Sequence, residues 1–245
     1  MKLKKNYLID NIKTIIYALI IAIIIRSLII QPFYIPSSSM EPTLLIGDRI
    51  FVSKFTYGIS KHSFPFSPSI SGERFFYKKP TQGDLVVFKT PVDNRTDYIK
   101  RLIGLPGDEI QFINGELFIN NSKIKRKKVD TFSNVRCGQF SFEVNTYEET
   151  LPNGVSYFAV YNKAGTLQNS KKFKVPENHF FLLGDNRDCS KDSRYLDSVG
   201  YVNFINLVGK AQLIFFSNDT LKGRLFEFWT LNKSFRFNRT LKKIK

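Results

Sequence analysis

"DYIKRLIGLPGDEIQFINGELFIN" (residues 97–120) decides the fold class. It opens on an aromatic and β-branched run, breaks at Leu105-Pro106-Gly107-Asp108, and resumes as two short apolar runs flanking Asn114-Gly115. Asn-Gly between apolar flanks is the strongest short-range hairpin signal, because a type I′ turn needs positive φ at both central residues. The stretch reads as a strand, a turn and a hairpin. One residue is out of character. Lys100 lies inside the apolar strand, where alternate side chains put Tyr98, Lys100 and Leu102 on one face. An apolar wall lowers the pKa of an ammonium. At an ordinary pKa of ~10.4 only about one lysine in 2,500 is neutral at pH 7, so a lysine that must accept a proton has to be desolvated. A stem that snorkels its charged head into water is the competing reading.

Outward from this stretch the same grammar repeats. "DRIFVSKF" (48–55), "GDLVVFK" (83–89) and "HFFLLGD" (179–185) are β-branched or aromatic runs bounded by Gly, Asp or Ser. Residues 57–82 are rich in Ser and Pro and predict a long surface loop, and 112–178 contain several hairpin-like pieces. No repeat is present, and no helical period follows residue 31. The fold class is mostly β.

The N-terminus differs. "IKTIIYALIIAIIIRSLII" (12–30) is apolar apart from Lys13, Thr14, Arg26 and Ser27. As a helix it would extend about 28 Å, one hydrocarbon core. Arg26 sits near one end, where it can reach the headgroups. Lys2, Lys4, Lys5 and Lys13 precede or open the run, which predicts a cytoplasmic N-terminus. The following "RSLIIQPFYIP" lacks the small residues of a cleavage site, so the segment reads as a retained single-pass anchor with everything after Gln31 translocated.

Composition narrows the rest. A chain of 245 residues can bury a core and holds one or two domains. Hydrophobic residues at 42% exclude general disorder, and the net charge of +16 points to anionic partners, nucleic acid or phospholipid. Cys137 and Cys189 are the only cysteines, and one disulfide or two free thiols both fit. His62 and His179 are the only histidines, with no HExxH or CxxC, so no metal or other cofactor is expected.

"IPSSSMEPTL" (35–44) follows the anchor directly and fits either a polar hinge or a serine nucleophile held beside the membrane. Serine needs a base. Neither histidine lies in a triad motif and no GxSxG elbow occurs, which leaves Lys100 as the candidate. "GDNRDCSKDSRYLDSVGYV" (184–202) is dense in Asp, Asn, Arg and Ser. It is not a calcium loop, since Arg187 and Cys189 stand where oxygen ligands belong. A solvated loop or a buried polar network that orients a lysine both fit.

Four segments in order, SMEPTL (39–44), GDLVVF (83–88), YIKRLIGLPGD (98–108) and GDNRDCSKDSR (184–194), resemble the bacterial type I signal peptidases, membrane-bound serine–lysine endopeptidases. The resemblance covers about residues 30–111 and 176–202; the middle region and the tail are less alike. It implies Ser39 as nucleophile, Lys100 as general base, and the Ser39 amide with the Ser37 hydroxyl as oxyanion hole. Ser190 would hydrogen-bond Lys100, Asp192 and Arg194 would pair to brace that loop, and Asp185 and Arg187 would support it. Phe33, Ile35, Met40, Leu44, Val87, Tyr98 and Ile99 would line shallow pockets for small side chains. The substrate would add as a strand between segment 32–36 and the strand bearing Tyr98 and Ile99. Ser38 and Cys189 depart from the glycine and asparagine common in the family.

The implied organisation is a cytoplasmic tail (1–11), a transmembrane anchor (12–30), a catalytic β domain (31–111 and 177–245) and an inserted β subdomain (112–176). The catalytic domain would lie on the outer face of the inner membrane. The expected partners are secretory precursors with signal peptides and the phospholipid bilayer, with no nucleic acid. The tail 221–245 carries eight Lys/Arg against Glu227. It predicts either a solvated positive face or contact with anionic lipid. A membrane-tethered basic binding protein and a serine–lysine protease with a narrower client remain alternatives at this point.

Overall fold

The computed structural model describes residues 2–64, 74–138, 140–162, 169–219, 222 and 234–244. It opens on α1 (Lys2–Leu28), which runs without a break through the stretch expected as a separate cytoplasmic tail. Large apolar side chains lie on every side of this helix. Ile15, Tyr17, Leu19, Ile21 and Ile23 are all more than half exposed. Among the described residues no helix is long and apolar enough to cross a membrane. Between α1 and residue 219, the described residues outside the strands form only short 3₁₀ turns and loops.

The main sheet is eight-stranded and antiparallel. It contains β1 (Ile30–Tyr34), β2 (Asp48–Ser53), β3 (Leu85–Lys89) and β4 (Asp97–Gly104) from the first half of the chain. Strands β5 (Glu109–Ile113), β6 (Glu116–Ile119), β7 (Ser122–Lys123), β8 (Lys125–Cys137), β9 (Phe140–Thr150), β10 (Ser156–Asn162) and β11 (Phe173–Lys174) follow. The chain then returns to the main sheet with β12 (His179–Leu183), β13 (Val202–Asn203), β14 (Leu207–Ser217) and β15 (Lys242–Lys243). The order in the main sheet is β1-β2-β14-β3-β4-β12-β13, with β15 also on β14. Strands β11-β5-β6-β7 and β10-β9-β8 make two smaller sheets.

Why the central strands are apolar throughout follows from their cover. Val87 and Ile99 pack into one cluster with Ile35, Met40, Leu44, Ile50 and Val52. Val86, Phe88 and Leu102 pack into another with Phe180, Leu182 and Val202, and Tyr98 joins them. Successive residues of β3 thus feed different clusters, as the two-residue period of a strand dictates. Burial of each such side chain contributes about 1.5–3 kcal/mol. A third cluster unites the smaller sheets with the main one. Ile110, Phe112, Leu117 and Ile119 share it with Ile103, Phe181 and Leu183 of β4 and β12. At the hairpin between β5 and β6, Asn114 and Gly115 adopt φ of 51° and 73°, the positive values that the Asn-Gly pair predicts.

One expectation is corrected in part. Of the described parts of 57–82, residues 75–79 are exposed as a surface loop would be, but the rest is largely buried. Tyr57, Ser60, His62, Ser63 and Arg74 are buried, and Arg74 donates to the carbonyls of Tyr57, Gly58 and Phe204. A buried guanidinium among carbonyl acceptors substitutes there for an apolar core. The expectation for the basic tail falls mostly outside the described residues. Where it is described, Arg239 meets Asp48 at 2.6 Å and the Thr43 carbonyl at 2.9 Å, and Arg236 meets the Ile46 carbonyl at 2.9 Å. These two arginines pin the turn that follows residues 37–42 and do not form a solvated face.

Candidate active site

Residues 36–47 form a bend and turns between β1 and β2, so Ser39 sits on a loop that two strands hold from behind. The Leu44 amide closes onto the Met40 carbonyl at 2.8 Å, and Met40 and Leu44 plug into the cluster below. From the other side the 184–190 segment clamps the serines. The Asn186 amide donates to the Ser39 carbonyl and its side chain to the Ser38 carbonyl, both at 3.2 Å. Gly184 makes this approach feasible: a Cβ there would lie 2.1 Å from Ser190 Oγ and 2.5 Å from the Ser39 carbonyl oxygen.

Lys100 Nζ donates to Ser39 Oγ at 2.7 Å and to the Ile99 carbonyl at 3.1 Å. Ser37 Oγ lies 3.3 Å from Ser39 Oγ. The lysine is 3% exposed. Desolvation lowers its pKa from 10.5 to about 8, against the opposing pull of Asp192 and Asp185. About one molecule in ten then carries a neutral amine at pH 7.

Around this pair the loop is fastened by buried ion pairs. Arg194 grips Asp192 with two bonds of 2.8 Å, and the Gly184 amide adds a third at 3.0 Å. Burial alone would raise the Asp192 pKa; Arg194 outweighs it and holds the carboxyl below its usual range. Asp185 takes a two-pronged contact from Arg101, 2.8 Å on each oxygen, and the Thr43 hydroxyl. Arg187 turns the other way, onto Glu149 of β9 at 2.6 and 3.1 Å and onto the hydroxyls of Tyr157 and Tyr161. Ser190 differs from its expectation. Its hydroxyl is buried near enough to Asp192 to help hold that carboxylate low, but makes no hydrogen-bond geometry with it or with Lys100.

A cavity of about 430 Å³ opens beside Ser39. Phe33, Ile35, Met40, Val87, Tyr98 and Ile99 line it with Ser37 and Lys100. Leu44 does not; it is fully buried behind the wall and serves the core. Tyr34, Ile50, Cys189 and Lys191 line the cavity unforeseen by sequence reasoning. β12 pairs with β4 only at Arg101, Leu102 and Gly104, so residues 97–100 pair on one side alone among the described residues. Their open edge faces the cavity that segment 33–36 borders. The cysteines, left open by spacing, are joined as Cys137–Cys189, which ties β8 to the loop before Ser190.

Sequence reasoning missed Arg101, Glu149, Tyr157, Tyr161, Gly184 and Asn186. Arg101 carried a faint signal, a second cation beside Lys100 in an apolar strand. Glu149 carried none, since its partner lies 38 residues away.

A family model described as "Signal peptidase, peptidase S26" matches residues 8–216. "Signal peptidase I" of Rickettsia typhi is 45% identical over 212 residues, covering 82% of this chain and 77% of that protein. The namesake from Rickettsia prowazekii is 44% identical over 211 residues, with the same coverage. A crystal structure of a signal peptidase I from Enterococcus faecalis V583 is 27% identical, with a TM-score of 0.32, covering 54% of this chain and 97% of its own. The match runs from within α1 through β14, across every segment that carries the site, and the chain belongs to the signal peptidase family, peptidase S26.

Proposed function

We propose that this hydrolase removes signal peptides from secretory precursors through a Ser39–Lys100 dyad. One observation carries the reading: a fully buried lysine, shifted towards neutrality, lies 2.7 Å from a serine hydroxyl beside a substrate-sized cavity. The precursor lies extended along the open edge of β4, its carbonyl over Ser39. Neutral Lys100 accepts the Ser39 proton as Oγ attacks, and the carbonyl oxygen becomes an oxyanion. The Ser39 amide and the Ser37 hydroxyl donate to it, each worth about 3–4 kcal/mol in such sites. The Lys100 ammonium then gives its proton to the leaving amine, which departs as the N-terminus of the mature protein. Water, deprotonated by Lys100, attacks the acyl-enzyme, and collapse releases the signal peptide and returns the proton to Ser39.

Asp192–Arg194 and Asp185–Arg101 hold the 184–194 loop against the serines. The catalytic body would be 31–111 with 177–245, and 112–176 an insertion upon it. The exposed apolar side chains from Ile15 to Ile25 on the second half of α1 support contact with lipid, because so much apolar surface is costly to leave in water. Lysines before it support a cytoplasmic N-terminus. The Cys137–Cys189 disulfide supports a body on the oxidising side of the inner membrane.

The test is incubation of the full chain with a secretory precursor, followed by N-terminal sequencing of the product. Cuts after small-x-small residues, lost in Ser39→Ala, are expected. Product termini following Arg, Lys or large aromatics would overturn the specificity, and cleavage by Ser39→Ala the nucleophile.

A further inference from the structure

A second cavity lies away from the dyad. It measures about 840 Å³, within the roughly 300–1,000 Å³ of small-molecule sites. Its walls come from the end of α1 (Arg26, Ser27), from Lys54 and the 61–64 turn, and from the 89–97 turn. Five basic side chains, Arg26, Lys54, Lys61, Lys89 and Arg95, face two carboxylates, Asp93 and Asp97. Both carboxylates are already engaged. Asp93 accepts from Thr90, Thr96 and two backbone amides, and Asp97 pairs with Lys89 at 2.9 Å.

Lys54 is the unusual member. It is buried, and its ammonium donates to the carbonyls of His62 and Ser63 at 3.2 and 2.9 Å. Among the described residues it forms no ion pair; burial, with the Arg26 charge, lowers its pKa to about 8 against the more distant pull of Asp97. An ammonium desolvated against two carbonyls, with its nearest carboxylate already paired to Lys89, costs the fold stability that a bound anion would restore. Ser27 makes a second such case: its hydroxyl is buried in the same wall without a hydrogen-bond partner. A tetrahedral anion satisfies both, taking a hydroxyl donor and an ammonium on separate oxygens while the surrounding cations balance its charge.

We propose that this cavity binds a phosphate group, and that the occupant is the phosphodiester headgroup of an anionic phospholipid. Arg26 and Ser27 end the helix whose apolar length precedes them, so the cavity opens where headgroups would lie. The lipid source rests on the anchoring proposed above; the phosphate chemistry does not. Occupancy would fix the body against the bilayer through α1, Lys54 and the 89–97 turn, whose far end, Thr96 and Asp97, also lines the substrate cavity.

The test uses the full chain in uncharged detergent with equal phosphatidylglycerol and phosphatidylcholine, and native mass spectrometry to count retained lipid. Thermal unfolding with added glycerol phosphate, at fixed ionic strength, runs in parallel. Wild type should retain one phosphatidylglycerol in preference to phosphatidylcholine. Lys61→Ala with Arg95→Ala should weaken this roughly thirtyfold, about fivefold per cation, and Lys61→Arg with Arg95→Lys should restore it. Both pairs should unfold near the wild-type temperature and cleave a soluble peptide substrate at the wild-type rate. Stabilisation by glycerol phosphate without lipid preference would overturn the lipid source and keep the phosphate site. Neither effect, or a lipid preference untouched by the double alanine variant, would overturn the proposal. Failure of wild type to cleave would count against the peptidase reading alone, since lipid retention is read separately.

Discussion

Replacing Lys100 by Met separates the chemistry of the dyad from its cost. The lysine is wholly buried and its pKa falls from 10.5 to about 8, chiefly by desolvation. A depression of that size corresponds to about 3 kcal/mol of lost stability while the folded form is charged. The sign follows from proton binding. Below pH 8 both folded and unfolded chains hold the proton, and the folded form bears the whole penalty. Between pH 8 and 10.5 the unfolded chain binds more protons, so wild-type stability rises with pH; above that the penalty is gone. Methionine keeps most of the stem and loses the hydrogen bond to Ser39, worth about 1 kcal/mol. Lys100→Met should therefore be inactive yet more stable than wild type at pH 7 by about 2 kcal/mol. For a chain of this length that raises the unfolding midpoint by about 4–8 °C. The gap should close by pH 10, and wild-type cleavage should rise with pH through about 8. Thermal unfolding at pH 7 and pH 10, with cleavage assayed over the same range, decides it. A variant that is dead but less stable at pH 7 refutes the desolvated base, and one that still cleaves places the base elsewhere.

Gly184→Ala should fold but lose at least about tenfold in turnover, since its methyl group would displace the Ser190 side chain or the Ser39 carbonyl; overpacking of this kind costs about 1–3 kcal/mol. Steady-state kinetics and the unfolding midpoint check it. Burial raises the Glu149 pKa and Arg187 more than reverses it, so its carboxylate contributes stability above the ordinary carboxyl range that is lost as pH falls. Glu149→Gln strands the Arg187 charge and should cost about 3–5 kcal/mol at pH 7, with the acid-side loss blunted; urea unfolding at pH 7 and pH 4 reads both. Replacing Cys137 and Cys189 together by Ser opens a loop of 52 residues and should cost up to about 4 kcal/mol, measured by the same unfolding assay.

How much of this was legible depends on the range of the physics involved. Strand runs and the Asn114-Gly115 turn are local, and six of the strands (β2 to β6 and β12) fall where the alternation and punctuation place them. β14 was not read, although it joins β2 to β3 at the centre of the main sheet. Its 11 residues pass three register shifts, between Leu207 and Gly209, Ala211 and Leu213, and Ile214 and Phe216, and such irregularities break the two-residue period that reveals a strand. The meeting of Ser39 with Lys100 was legible only through the resemblance, for spacing alone left a hinge and a snorkelling lysine open. Leu44 shows the reverse: the resemblance assigned it to the pocket, and packing below the Met40–Leu44 turn buries it in the core.

The least legible part is what holds the site. Arg101 with Asp185, Arg187 with Glu149 and Arg194 with Asp192 are each buried to 4% or less, at sequence separations of 84, 38 and 2 residues. Only the shortest leaves a pattern in the sequence. A buried pair of this kind seldom adds stability over an apolar pair of equal volume. Its use here is directional. Each guanidinium fork fixes the plane of a carboxylate, and the three together fix a loop whose Gly184 permits close approach to the serines and whose Asn186 donates to the Ser38 and Ser39 carbonyls. A loop set by apolar packing alone could slide along its neighbour. One set by three forks cannot move without stranding a charge, and that stiffness keeps the Lys100 amine, neutral in about one molecule in ten at pH 7, on the serine oxygen.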